Sequence, residues 1–272
     1  MRYVNYILLL IASVVWLSAL SNDNNLHIIA CDVGQGDAIL VTYKNYQILT
    51  DGGPNNQVLT CLGKYMPIYD RTIELVILTH PQADHYTGLI EVFKRYKVDN
   101  YLYNDIPSSN QGYQVLENMV GGSGTNVIRP QKGMVIGMGL IQLVILHPET
   151  DRLETNVNDV GIVTRLKYKE FEALFTADVE NKISDELARL TEIKGLDYIK
   201  VNHHGSRNGM TDNLLKAVMP KIAVISLGKD NRYKHPHIEI ISMLKNLNIQ
   251  PLRTDELGDV EIITDGVTFW VD

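Results

Sequence analysis

Leu75-Val76-Ile77-Leu78-Thr79-His80-Pro81-Gln82-Ala83-Asp84-His85 is the stretch on which the reading of this chain turns. Its four leading apolar residues read as a buried strand, because a strand covered on both faces shows no polar alternation. Two imidazoles and a carboxylate then crowd into the short loop from His80 to His85. Loops beyond the carboxyl ends of strands are where α/β folds place their chemistry. One His or Asp there is ordinarily a satisfied loop residue. Three together make the donor set that suits zinc, manganese or iron better than calcium or magnesium. His80, Asp84 and His85 are therefore candidate metal ligands.

Short apolar runs separated by turn clusters continue on both sides. Residues 26–31, 38–42 and 47–50 read as a strand meander, with Gly34-Gln35-Gly36-Asp37 and Lys44-Asn45 as its turns. After the His-rich loop, residues 88–96 fit a helix and 98–103 a strand. Further on, a helix is expected over 113–119, a turn at 121–124, and strands near 127, 134 and 141–146. Helices at 183–190, 212–218 and 238–247 then alternate with strands at 198–201 and 222–227, and a hairpin around Asp265-Gly266 closes the chain. Strands in groups followed by alternation with helices predict an α/β fold, a four-layer αββα sandwich of two mixed β-sheets over residues 26–272.

Residues 1–25 read as a separate element. Arg2 precedes an unbroken apolar or small stretch over 6–20, and Ser21-Asn22-Asp23-Asn24-Asn25 ends it. This is the pattern of an export signal, cleaved near Ala19 and Ser21 or kept as a short membrane anchor. The expected location is extracytoplasmic, secreted or anchored to the cell membrane. The chain has 272 residues and a formal net charge of -7, which excludes a broad basic surface for nonspecific nucleic-acid binding. Cys31 and Cys61 are the only cysteines, too few for a disulfide framework or a Cys-rich metal site. They read as two small buried residues, able to pair only in an oxidising compartment.

Polar, metal-capable or turn residues follow the strands at five places: Asp51-Gly52-Gly53, His80 to His85, Asp178, His203-His204-Gly205-Ser206, and Asn231 to His237. One pocket needs such recurrence. The chemistry expected of it is hydrolysis by two divalent ions, zinc or manganese, about 3.5–4 Å apart, which lower the pKa of a bridging water. Asp178 can bridge the ions, and Asp84 can ligate or move a proton. Adjacent His203 and His204 point opposite ways on an extended backbone, so one ligates and the other faces substrate; His203 is favoured as ligand and His204 as the catalytic group. Ser206, Asn231 and Tyr233 are candidate substrate-binding residues, and His235 and His237 candidate proton donors. Asp32 and Asp37, flanking the first turn, read as parts of a structural hairpin.

Taken together, Asp32-Val33-Gly34-Gln35-Gly36-Asp37, Asp51-Gly52-Gly53, Thr79 to His85 with Gly88, Asp178, Lys200 to Ser206 and Ser226 to His237 resemble the metallo-β-lactamase superfamily. Within it they resemble the ComEC-like branch, the hydrolase domains of DNA-uptake proteins of competent bacteria. The resemblance covers 26–272 and implies the αββα fold, a metal pair at one edge, and a nuclease or phosphodiesterase activity outside the cytoplasm. Gln82 stands where the superfamily has a second His and this branch often has Asp, so it takes the place of a ligand and weakens one metal site. For the superfamily's middle His the chain offers His147 or, closer to this branch, Asn158-Asp159. The expected function is thus an exported metal-dependent hydrolase acting on DNA or another phosphodiester, with no protein partner indicated. The alternatives are lactone, β-lactam or thioester hydrolysis on the same fold, or a catalytically weak binding module.

Overall fold

The computed structural model describes residues 23–149 and 156–272, with 6–8, 10, 11 and 13 of the N-terminal segment. Most of the expected leader lies outside the described residues. Among those described, no helix is long and apolar enough to cross a membrane.

Two mixed sheets form the centre. The first runs β15-β14-β1-β2-β3-β4-β5-β6 and is built from β1 (Leu26–Ala30), β2 (Ile39–Tyr43), β3 (Tyr46–Thr50), β4 (Thr72–Leu78), β5 (Lys97–Tyr103), β6 (Asn126–Ile128), β14 (Val260–Thr264) and β15 (Phe269–Val271). The second runs β13-β12-β11-β10-β9-β8-β7, from β7 (Val135–Met138), β8 (Ile141–His147), β9 (Val163–Tyr168), β10 (Phe171–Phe175), β11 (Tyr198–Lys200), β12 (Ile222–Ile225) and β13 (Pro251–Arg253). Each sheet is antiparallel in one half and parallel in the other: β3 to β6 run parallel, as do β10 to β13. Parallel strands deliver their carboxyl ends to one edge, so the ends of β3, β4, β10, β11 and β12 share a rim.

The apolar residues sort into layers. Ile28, Ile48, Leu75, Ile77, Leu143, Leu166 and Tyr168 pack between the sheets. Leu49, Val76 and Leu78 point the other way, against Leu62, Leu89 and Leu116 of the helices α1 (Gln57–Tyr65), α2 (Ala83–Arg95) and α3 (Gln111–Ser123). Leu174, Ile199 and Ile225 do the same against α4 (Asn181–Leu187), α5 (Asp212–Val218) and α6 (Ile238–Asn246), while a short α7 (Thr254–Leu257) follows β13 directly. Each such side chain contributes roughly 1.5–3 kcal/mol of burial free energy. The expected αββα sandwich is the observed one.

Three readings need correction. Helix α2 begins at Ala83, five residues before the expected start at 88, so Asp84 and His85 stand in its first turn rather than in a loop. Asp84 suits that turn because a carboxylate meets the positive end of the helix dipole there. Residues 121–123 continue α3, and the turn is confined to Gly124 in the left-handed conformation. Cys31 and Cys61 are bonded as a disulfide, Cα atoms 5.9 Å apart, rather than being two separate buried thiols. The bond ties the chain just after β1 to α1.

Candidate metal centre

The rim gathers its side chains by one rule: each strand end turns abruptly and aims a polar group inward. Asp51, after β3, takes a positive φ of 60°. Its Oδ1 accepts from the Thr79 amide at 2.8 Å, and its Oδ2 accepts from Thr79 Oγ1 at 2.8 Å and from His85 Nδ1 at 2.8 Å. The His85 proton is thereby fixed on Nδ1, and Nε2 faces Asp178 Oδ2 at 3.3 Å. Thr79 Oγ1, having donated to Asp51, accepts from His80 Nδ1 at 3.0 Å. His80 Nε2 is left buried without a hydrogen bond.

From the other sheet, Asp178 lies just beyond β10, after Thr176 and Ala177. Lys200, the last residue of β11, is 1 % exposed. Its Nζ donates to Asp178 Oδ1 at 3.1 Å, to the Ala177 carbonyl at 3.0 Å and to Asp37 Oδ2. Burial alone would raise the carboxyl of Asp178, but His204, Lys200 and His85 around it outweigh that and hold it well below the usual range. Burial would likewise lower Lys200, and Asp37 and Asp178 overcome that to hold the ammonium charged. Burial would raise Asp37 too, yet Lys200 and His204 hold it down.

His203 and His204 follow in left-handed backbone, φ 47° and 53°. His204 Nδ1 donates to the Ser226 carbonyl at 2.9 Å, and its Nε2 lies 3.2 Å from Asp178 Oδ2 and 3.6 Å from Asp84 Oδ2. Neither approach is an aligned hydrogen bond, so this nitrogen too is buried and unsatisfied. His203 Nε2 stands farther off, 4.0 Å from Asp178 Oδ2, with no partner for its Nδ1. Ligand-capable atoms of Asp84, His85, Asp178 and His204 lie within 4.8 Å of one another, and those of Asp37, Asp51 and His85 form a second such group. The geometry thus brings His204, not the favoured His203, into the four-donor cluster.

The other predicted residues are distributed around this centre. Gln82 donates from Nε2 to Asn158 Oδ1 at 2.7 Å, and Asn158 donates to Glu180 Oε1 at 3.3 Å. His147 bonds the Asp159 carbonyl through Nε2 at 2.7 Å. Asn231 spends its amide on its own loop, donating to the Gly228 and His235 carbonyls and accepting from the His235 amide. Ser206 is buried and accepts from the Asn208 amide at 3.4 Å. His235 packs its ring against His203, His204, Tyr233 and His237. Burial, then the neighbouring imidazoles His204, His237 and His203, push His235 down to about 4. His237 sits at the start of α6 and accepts from the Arg207 amide at 3.1 Å. Tyr233 is exposed, its ring nearly parallel to His235 at 5.6 Å, with the Arg232 guanidinium 4.8 Å over it. Arg232 and Tyr233, with Asn231, Asp84, Gln35, Pro54 and Ala83, line a groove of about 470 Å³ beside the cluster.

These donors fit a transition-metal ion. His80 and His204 each have Nδ1 occupied and Nε2 presented, bare and buried, among carboxylates, and Asp51 orients His85. A metal-ligating imidazole takes this form, held by a partner on its other nitrogen. The family model of the metallo-beta-lactamase superfamily matches residues 31–229. The chain belongs to this superfamily. Among curated proteins it is similar to ComE operon protein 3 of Bacillus subtilis (strain 168), 26% identical over 249 residues, covering 85% of this chain and 32% of that protein. It is similar as well to Recombination protein 2 of Haemophilus influenzae, 25% identical over 236 residues, 85% of this chain and 28% of the other. The chain thus spans about a third of the length of these relatives. In fold it resembles the metallo-beta-lactamase fold protein YhfI from Bacillus subtilis, with TM-score 0.59 at 13% identity, covering 91% of this chain and 100% of that one. The superfamily is one of dimetal hydrolases, and the cluster stands at the rim where the strand ends of the two sheets meet.

Two participants escaped the sequence reading. Asp37 was read as part of a structural hairpin, and only Asp32 keeps to that, its Oδ1 accepting from the Gly34 amide at 3.3 Å. Lys200 had a signal that could have found it: a lysine inside Tyr198-Ile199-Lys200-Val201, where every neighbour is buried, must have an acid partner.

Proposed function

We propose that this metallo-β-lactamase superfamily chain is an exported, metal-dependent phosphodiester hydrolase whose substrate is nucleic acid. The observation that carries the reading is the groove, in which a metal-capable cluster opens through Asp84 onto an exposed tyrosine capped by arginine. An aromatic face suits a nucleobase, and a guanidinium suits a phosphate. Similarity to Recombination protein 2 supports the same substrate, and the Cys31–Cys61 disulfide supports an oxidising location.

Asp84, His85, Asp178 and His204 would hold the ion, with His80 beside them. When bound, a divalent ion polarises the phosphoryl group and supplies hydroxide at neutral pH. The chain's own residues do the rest. Asp51 keeps His85 in register, and Ser226 keeps His204. Burial would raise Asp84, but the approach of His204 and the charge of His85 hold it ionised, the form in which it can hold a cation. His235, neutral at pH 7, accepts a proton rather than supplying one. Tyr233 and Arg232 orient the strand outside. The test is cleavage by the purified protein with added manganese or zinc. Single-stranded DNA should be cut while lactone, β-lactam and thioester substrates are left intact. Turnover of one of the latter with DNA untouched refutes the assignment.

A further inference from the structure

We propose that this chain holds one divalent ion tightly, on Asp84, His85, Asp178 and His204, and that the place its superfamily gives to a second ion has been closed. The inference rests on the metal reading of the site and not on the choice of substrate.

The two halves of the site are unequal. On one side stand two carboxylates and two imidazoles whose ligand atoms lie within 4.8 Å of one another. His85 and His204 are both oriented through Nδ1, by Asp51 and by the Ser226 carbonyl. On the other side, among the described residues, His80 presents an imidazole whose Nε2 is bare and buried. Gln82 and Asn158 stand where further ligands would be expected, and they are bonded to each other at 2.7 Å. That bond uses Asn158 Oδ1, the oxygen it would offer a cation. The Asn158 amide nitrogen is turned to Glu180 Oε1 at 3.3 Å. What His80, Gln82 and Asn158 leave for a second ion is one imidazole, one amide oxygen and a share of Asp178, a poor set for a transition metal. The group of Asp37, Asp51 and His85 is already engaged, Asp37 by Lys200, and Asp51 by Thr79 and His85 Nδ1.

Charge acts in the same direction. The Lys200 ammonium donates to both Asp37 and Asp178 from a fully buried position. It is a fixed positive charge at the carboxylate that two ions would have to share. A second dication would meet that repulsion in a medium where it is little screened.

Metal content of the full chain decides this. After loading with excess Mn(II) or Zn(II) and desalting, elemental analysis should give one ion per chain, and the Mn(II) form should show the resonance spectrum of an isolated ion. His204→Ala should weaken binding at least about tenfold, the scale on which metal sites respond to lost support. His80→Ala should change affinity less than about twofold, because His80 lies outside the four-donor set. The double variant Gln82→His, Asn158→His should take up a second ion. Two ions per wild-type chain, a spin-coupled spectrum, loss of the ion on His80→Ala, or no bound ion would each overturn the proposal. The wild-type stoichiometry needs no variant to fold. Failure to cut DNA with one ion bound would count against the substrate and leave the single-ion site standing.

Discussion

Gly88→Ala puts a methyl group in the middle of a helix, a change that ordinarily raises stability by about 0.5–1 kcal/mol. Here it should do the opposite. A Cβ on Gly88 would stand 1.8 Å from the Gly52 carbonyl oxygen and 2.5 Å from the Asn55 carbonyl oxygen. Carbon needs about 3.5 Å, so the loop after β3 must retreat by roughly 1.7 Å or α2 must tilt away. Both colliding atoms are backbone, and no rotamer relieves them. The same contact is held by hydrogen bonds from Gly52 N to the His85 carbonyl at 2.7 Å and from Gly88 N to the Gly53 carbonyl at 2.9 Å. We expect a loss of about 3 kcal/mol or more, at the upper end of overpacking costs. The shift also draws Asp51 away from His85, so metal affinity should fall by about 10–100-fold. Urea denaturation and metal titration measure the two effects. Gly121→Ala in α3 is the control: its new Cβ meets nothing within 4 Å, so that variant should gain about 0.5–1 kcal/mol. If Gly88→Ala matches the wild type in midpoint and metal affinity, the close docking of α2 on the β3 loop is wrong.

Lys200→Met should cost about 3–5 kcal/mol, because it strands Asp37 and Asp178 as buried, unpaired carboxylates. The loss should shrink when a divalent ion is added, and an unchanged denaturation midpoint without metal would refute the pairing. His27 bridges Asp23 and Glu261 at 3.1 and 2.6 Å, and burial's downward pull on the imidazole is overcome by both carboxylates, so its pKa is raised. The stability it contributes is therefore fully present below the ordinary imidazole value of about 6.5 and is lost as pH rises through the raised one. Melting curves of wild type and His27→Gln should converge above that point, and a constant difference across the range would refute it. Reducing the Cys31–Cys61 disulfide opens a loop with a sequence separation of 30, so Cys61→Ser should cost about 3.5 kcal/mol on the chain-entropy account, read by denaturation without reductant.

Fold class was legible because strand patterning is a local signal: apolar runs such as Leu75 to Leu78 are buried whichever neighbours they pair with. The start of α2 was hidden by Pro81 and by the ligand-rich residues after it, which carry no apolar period. Helix α1 offers little to read, since Asn56 makes no side-chain cap and the first turn has no acid. The site divided similarly. Residues with metal-capable side chains announced themselves, whereas the His203 and His204 choice did not. An extended backbone would put their side chains on opposite faces, but both residues are left-handed and both rings approach Asp178. Asp37 and Lys200 become partners only when the two sheets close, a contact that no spacing along the chain encodes.

The residues at the rim with positive φ include Asp51, Ala177, His203 and His204. Asp and His tolerate that region better than most side chains, but Ala177 has nothing to recommend it there over glycine. Its carbonyl accepts from Lys200 Nζ and from the His203 amide, so the bend is what joins β10 to the histidine pair. Anyone evolving this protein toward heat resistance will meet the consequence. Relaxing the rim is where gains in melting temperature are nearest to hand, and it is also where turnover would be given up.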